Sequence, residues 1–185
     1  MKKVRFGIVG LGNMGAVHAA SLLAGKVPRG ELTAVADADP ARLARVPSVR
    51  GFATARGMIA SGLIDALLIA TPHYDHTATG IAALKAGLHV LVEKPISVHK
   101  SDCERLLAAH RGRRQVFAAM FNQRTDPYYR KLRHLIRSGE LGEIRRVNWI
   151  ITNWFRTAAY YASGGWRATW AGEGGGVLLN QCPHN

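Results

Sequence analysis

Short apolar runs alternate with stretches of helical spacing through the first 120 residues. Val4 to Val9 is rich in β-branched residues and ends in glycines, which predicts a strand followed by a tight turn. Asn13 to Ala24 sets small and apolar residues at helical intervals, and residues 31–37 return to a strand pattern. Asp37-Ala38-Asp39-Pro40 closes that strand, with Asp39 able to cap a helix whose first turn holds Pro40. A weak strand over 49–53 and a helix over 54–61 precede 64–70, an apolar run typical of strands buried on both faces. A helix over 76–86 ends at Gly87, which tolerates a left-handed backbone, and a further buried strand covers 88–92. A helix over 101–111 and a sixth strand over 115–119 complete the series. This alternation predicts an α/β fold, a parallel sheet wound on both sides.

The texture changes after Met120, which divides the chain into domains 1–120 and 121–185. Residues 127–138 read as one amphipathic helix and 143–154 as a long strand of roughly alternating polarity. Residues 153–173 are crowded with Trp, Tyr, Gly and Arg, a composition that suits a loop over a binding site. A glycine-rich turn and a helix start follow.

With 185 residues and 48% hydrophobic content, the chain can bury a proper core. Its apolar runs fall far short of the roughly 20 residues that span a bilayer, and the N-terminus enters a strand with no secretory pattern, so a cytoplasmic location without membrane association is expected. Cys103 and Cys182 stand alone, without zinc-ligand spacing, and are expected as reduced thiols; no metal site is expected. The formal charge of +13 raises the question of nucleic acid. The basic clusters at 111–114, 130–137 and 145–146 match no recognition motif and read as solvated faces, so no nucleic-acid partner is expected.

Gly10-Leu11-Gly12-Asn13-Met14-Gly15 follows a strand and opens a helix. In that setting the first glycine makes the turn, the second admits a pyrophosphate against the backbone, and the third lets helix pack on strand. Asp37, at the end of the second strand, is placed to accept hydrogen bonds from the adenosine ribose and to repel a 2′-phosphate, which favours NAD over NADP. Arg42 and Arg45 work against that preference, so NADP stays open. Thr71-Pro72-His73 and His76 lie beyond the carboxyl end of a central strand, where open α/β sheets bind ligands. His73 and His76 read equally as histidines satisfied by backbone groups. Glu93-Lys94-Pro95 follows the next strand, and Lys94 can donate to a substrate oxygen as a hydride leaves its carbon, or can be a solvated lysine before a turn. Arg156, Tyr160, Trp166 and Arg167, with Trp154, Tyr161 and Trp170, read as a substrate-facing set or as aromatic packing.

Taken in order, Gly10 to Gly15, Asp37, Thr71-Pro72 with His76, Glu93-Lys94-Pro95, and Gly174-Gly175-Gly176 with His184 resemble the Gfo/Idh/MocA oxidoreductases. The resemblance implies a Rossmann-type doubly wound parallel sheet followed by the start of an α+β open-sheet substrate domain. It implies NAD(P)-dependent hydride transfer at a hydroxyl or ketone carbon of a sugar, cyclitol or related polyol, and self-association of the full-length protein. Carried over by position, Lys94 is the lysine beside the nicotinamide and His184 the acid/base, with Asn180 four residues earlier on one helix face. Many members have Asp where Asn180 stands and Asn where His73 stands, so the acid/base scheme departs from the common one. The resemblance also implies that the substrate domain continues past Asn185, leaving it incomplete here. A non-catalytic nucleotide-binding remnant, or a basic nucleic-acid-associated module, are the alternatives from other function classes.

Overall fold

Six strands, Val4–Val9 (β1), Gly30–Ala36 (β2), Arg50–Phe52 (β3), Ala66–Ile69 (β4), His89–Val92 (β5) and Phe117–Ala119 (β6), form one parallel sheet in the order β3-β2-β1-β4-β5-β6. A computed structural model describes residues 2–112, 114–152, 155–162 and 165–184. The helices between strands are Asn13–Leu23 (α1), Pro40–Leu43 (α2), Ala55–Ala60 (α3), Asp75–Lys85 (α4) and Lys100–His110 (α5). Each predicted strand and helix of the first 120 residues is present, with ends shifted by a residue or two.

Period-two alternation explains why both sheet faces are covered. Ile8, Val35 and Leu68 pack with Ala19 and Leu22 of α1, while Val9, Ala34, Leu67 and Ile69 pack with Met58, Leu84 and Leu106 of α3, α4 and α5. Strand order reverses at β1 and β4, which opens a crevice at their carboxyl ends. The topology is a Rossmann-type sheet, followed by a short C-terminal segment.

Arg5 and Asp65 pin the other end of that central strand pair. The Arg5 guanidinium reaches both carboxylate oxygens, at 2.6 and 3.1 Å, and the Arg5 N–H donates to the same group at 3.0 Å. These bonds hold the Asp65 carboxyl at about 2, below its ordinary 3.8. A folded-state value below the unfolded one means stabilisation that is present above pH 3.8 and fades as pH falls toward 2. Asp65→Asn is therefore expected to lower the melting temperature by a few degrees at pH 7, and scanning calorimetry should show the gap to the parent closing across that acid window.

The C-terminal segment contains Pro127–Arg137 (α6), Ala158–Ala162 (α7), Trp170–Glu173 (α8) and Val177–Asn180 (α9). Asp126 caps α6 by accepting from the Tyr128 N–H at 2.9 Å, with Pro127 in the first turn. The strand predicted over 143–154 is not formed across 143–152; residues 153 and 154 lie outside the described residues. Its alternation is real, but a strand exists only with a hydrogen-bonded neighbour, and among the described residues none pairs with it. Val147 and Ile150 are accordingly 74% and 84% exposed, and Trp149 stacks on Tyr129 of α6 at 5.6 Å.

Candidate functional site

The crevice at the strand reversal is a cleft of about 950 Å³ lined from both parts of the chain. Gly10, Gly12, Asn13, Met14 and Asp37 form one end, Thr71, Pro72 and His73 the middle, and Glu93, Lys94, Tyr160, Trp166, Arg167 and Asn180 the other.

The three glycines of the first turn differ in what demands them. Gly10 has φ +85°, and a Cβ there would stand 2.7 Å from the Ala70 carbonyl oxygen. A Cβ on Gly15 would stand 1.8 Å from the Gly10 carbonyl oxygen, so α1 can seat on β1 only with glycine there. Gly12 is different: a Cβ would meet no protein atom within 4 Å. The protein's own packing does not require that glycine, whereas a phosphate drawn close to the backbone does. The first intrahelical bond of α1 is Ala16 N–H to Gly12 O at 2.9 Å, and no described side chain caps the turn, so the N–H groups of Asn13, Met14 and Gly15 have no acceptor within the helix. These residues fit a dinucleotide's diphosphate.

Asp37 is buried at the tip of β2. Its Oδ2 accepts from the Leu11 N–H at 2.6 Å and its Oδ1 from the Asp39 N–H at 2.9 Å, so the carboxylate also shapes the glycine turn. Arg42 stands 3.5 Å from the same carboxylate, as its nearness in sequence suggested.

His76 has no exposed surface. Its Nδ1 lies 2.8 Å from the Pro95 carbonyl oxygen and its Nε2 3.0 Å from that of Thr71. Its ring ties together the loops after β4 and β5 at the cleft wall, so it is both satisfied by backbone groups and part of the lining. His73 is buried too, with Nδ1 2.8 Å from the Glu173 carbonyl oxygen and its ring edge-on to Trp166 at 4.9 Å. Burial lowers the pKa of both rings, which keeps them neutral at pH 7. Glu93 Oε1 lies 2.7 Å from Nε2 of His18 on α1.

Lys94 sits at the end of β5 and crosses to the C-terminal segment. Its Nζ donates to the Asn180 carbonyl oxygen at 2.8 Å and to Asn180 Oδ1 at 2.7 Å. Burial, ahead of any neighbouring charge, pushes its pKa below the ordinary 10.5. Asn180 in turn donates from Nδ2 to Glu173 Oε1, a short contact between two buried side chains. Gly174 ends α8 with φ +81° and lies so close to Val98 that a Cβ would overlap it, which presses this segment onto the loop after β5.

The structure corrects one expectation about the catalytic set. Asn180 and His184 do not share a helix face: α9 ends at Asn180, and His184 closes a separate 3₁₀ turn over Cys182–His184. Pro183 has no N–H with which to continue the α-helical ladder. His184 is not among the cleft's lining residues; its ring meets Phe121 at 6.3 Å, and its Nδ1 is buried with no hydrogen-bond partner among the described residues. Burial and the nearby Lys94 charge lower its pKa, leaving a neutral imidazole, the form that accepts a proton.

Tyr160, Trp166 and Arg167 line the cleft beside Lys94, whereas Arg156 lines an adjoining cavity of about 390 Å³ with Tyr161, Trp170, Glu173 and Asn180. Arg156 and Arg167 lie over the Tyr160 ring at 4.8 and 5.6 Å. Trp154 lies outside the described residues. The sequence reading missed Glu173 and His18. A lone acid before three glycines was the only signal for the first, and nothing local marks the second. Among the described residues, no three His, Cys, Asp or Glu side chains converge as a metal site, and no helix is long and apolar enough to cross a membrane.

Comparison with known proteins adds to this geometry. Residues 4–121 match the model of an oxidoreductase family with an NAD-binding Rossmann fold, and residues 129–185 match a GFO/IDH/MocA C-terminal domain. Inositol 2-dehydrogenase 1 of Saccharopolyspora erythraea is 35% identical over 147 residues, 76% of this chain and 43% of that protein. Among solved structures, the WlbA dehydrogenase of Chromobacterium violaceum, in complex with NADH and UDP-GlcNAcA, superposes with TM-score 0.86 at 28% identity, over 100% of this chain and 53% of its own. A scyllo-inositol dehydrogenase of Lactobacillus casei, with bound NAD(H) and scyllo-inositol, gives 0.74 at 32% identity, over 77% and 43%. The chain thus spans about half the length of these relatives.

Proposed function

Because this chain belongs to the Gfo/Idh/MocA family of NAD-binding oxidoreductases, we propose that it forms the cofactor site and one wall of the substrate site of an enzyme that moves a hydride between nicotinamide and a CH–OH carbon of a sugar or cyclitol. The observation that carries this reading is the run of the cleft, from the glycine turn and Asp37 to Lys94 and Asn180, without a break. Bound NAD would accept the hydride. Gly12 and the first N–H groups of α1 would hold its diphosphate and Asp37 its ribose, which favours NAD over NADP. Lys94 would donate to the reacting oxygen, and His184 or a water it polarises would take the hydroxyl proton.

Between a neutral cyclitol and an acid-bearing sugar, the charge around Lys94 favours the second. Arg156 and Arg167 both act on Lys94 to lower its pKa while Glu93 and Glu173 act to raise it, so three cations repel one another against only two acids at the substrate end. A carboxylate or phosphate on the substrate would relieve that repulsion. The similarity to the UDP-GlcNAcA-binding dehydrogenase, which extends over the whole chain, supports the same choice.

Fluorescence titration with NADH and NADPH tests the cofactor half: saturable binding, tighter for NADH, is expected, and no binding to folded chain would overturn it. Turnover with NAD on UDP-GlcNAcA, glucuronate and myo-inositol tests the substrate half. Reduction confined to myo-inositol would overturn the acidic-sugar choice.

A further inference from the structure

We propose that Glu173 is a positioning residue for Lys94, acting through the side-chain amide of Asn180. The relation to catalysis rests on the hydride-transfer reading above; the arrangement itself does not.

An amide has two ends, and only its NH₂ can donate. Glu173, a buried carboxylate, accepts from Asn180 Nδ2, so the other end, Oδ1, must face Lys94, 2.7 Å from its Nζ. The Asn180 carbonyl oxygen takes a second ammonium proton at 2.8 Å. Of three ammonium N–H groups, two are thereby fixed, and the third is the one that can reach a ligand in the cleft. Without an acceptor behind it, the amide could turn and set its NH₂ against the ammonium.

Glu173 is itself held on three sides. Its Oε2 accepts from the Ala168 N–H at 3.3 Å, its carbonyl oxygen meets His73 Nδ1 at 2.8 Å, and Gly174 fixes the backbone that follows. The result is an ion pair with an amide between its members: a half-buried cation from the end of β5 and a buried anion from the C-terminal segment. The charged and titratable groups around Lys94 are Glu93 and Glu173, which favour its charged form, Arg156 and Arg167, which oppose it, and the neutral rings of His73 and His184. Glu93, which also meets His18, acts on Lys94 from the sheet side, and Glu173 is the acid that the C-terminal segment brings to it. Asn180 is then suited to its place: an Asp there would set two carboxylates in contact, and one would have to keep a proton.

The test is the titration of Lys94 in ¹⁵N,¹³C-lysine-labelled chain, followed by NMR and assigned with Lys94→Arg. In Glu173→Gln, which preserves shape and an acceptor oxygen but removes the charge, the Lys94 midpoint should fall by ~0.5 unit or more. In Asn180→Asp, which brings a carboxyl group into direct contact, it should rise. A purely structural role would move neither midpoint in a folded chain, or both in the same direction, and either result overturns the proposal. The measurement needs no turnover and no cofactor, so failure of the hydride-transfer reading would show in the NADH and substrate assays and leave this outcome standing.

Discussion

A Gly12→Val chain is expected to fold as the parent does and yet bind NADH on the order of a hundredfold more weakly, about 2.7 kcal/mol. Gly12 has φ −65°, which any residue adopts, and its Cβ direction points into open space, so the fold loses little. The ligand loses its closest approach to the backbone. Gly15→Val is the contrast: the overlap with the Gly10 carbonyl oxygen cannot be relieved without lifting α1 off β1, and cooperative melting should be lost. Calorimetry and NADH fluorescence on the two variants separate the roles. Parental affinity in the Gly12 variant would remove the diphosphate from this turn.

Lys94→Met should reduce turnover of the acidic sugar by about 10²–10³-fold, the usual effect of losing one preorganised donor to a developing oxyanion, while NADH affinity changes little. The methionine fills the same channel, but Asn180 loses the donor to both of its oxygens. Steady-state rates with NADH titration in parallel give the split. A variant that keeps its rate would remove Lys94 from the reaction, and one that loses NADH binding to the same degree would assign it to the cofactor's binding instead.

The sheet was legible because its central strands are buried on both faces, and continuous apolar runs such as Ala66 to Ala70 have few other uses. The glycine turn and Asp37 were legible for a related reason: they act within one local unit, where spacing carries the geometry. The stretch after Glu143 shows the opposite case. Its pattern resembles a strand, but pairing is a property of two segments, and no inspection of one can supply the other. The far end of the site was half legible. Lys94 and Asn180 were marked by motif, but their contact spans 86 positions, and the contact of His73 with Glu173 spans 100. Glu173 bonds nearby, to Ala168 and Asn180, but at spacings that form no recognisable motif. The expected shared face of Asn180 and His184 failed on one residue, Pro183, whose effect on the ladder outweighs four-residue spacing.

His76 carries a mechanical consequence. With its imidazole between the carbonyls of Thr71 and Pro95, the tips of β4 and β5 cannot drift apart without breaking a polar contact of a side chain that has no exposed surface. A neutral ring owns a single N–H, so at any moment it donates to one of these loops and leaves its lone pair toward the other. Which loop is gripped is thus a matter of tautomer, and the two tips that bracket the dinucleotide cleft are coupled through the placement of one hydrogen.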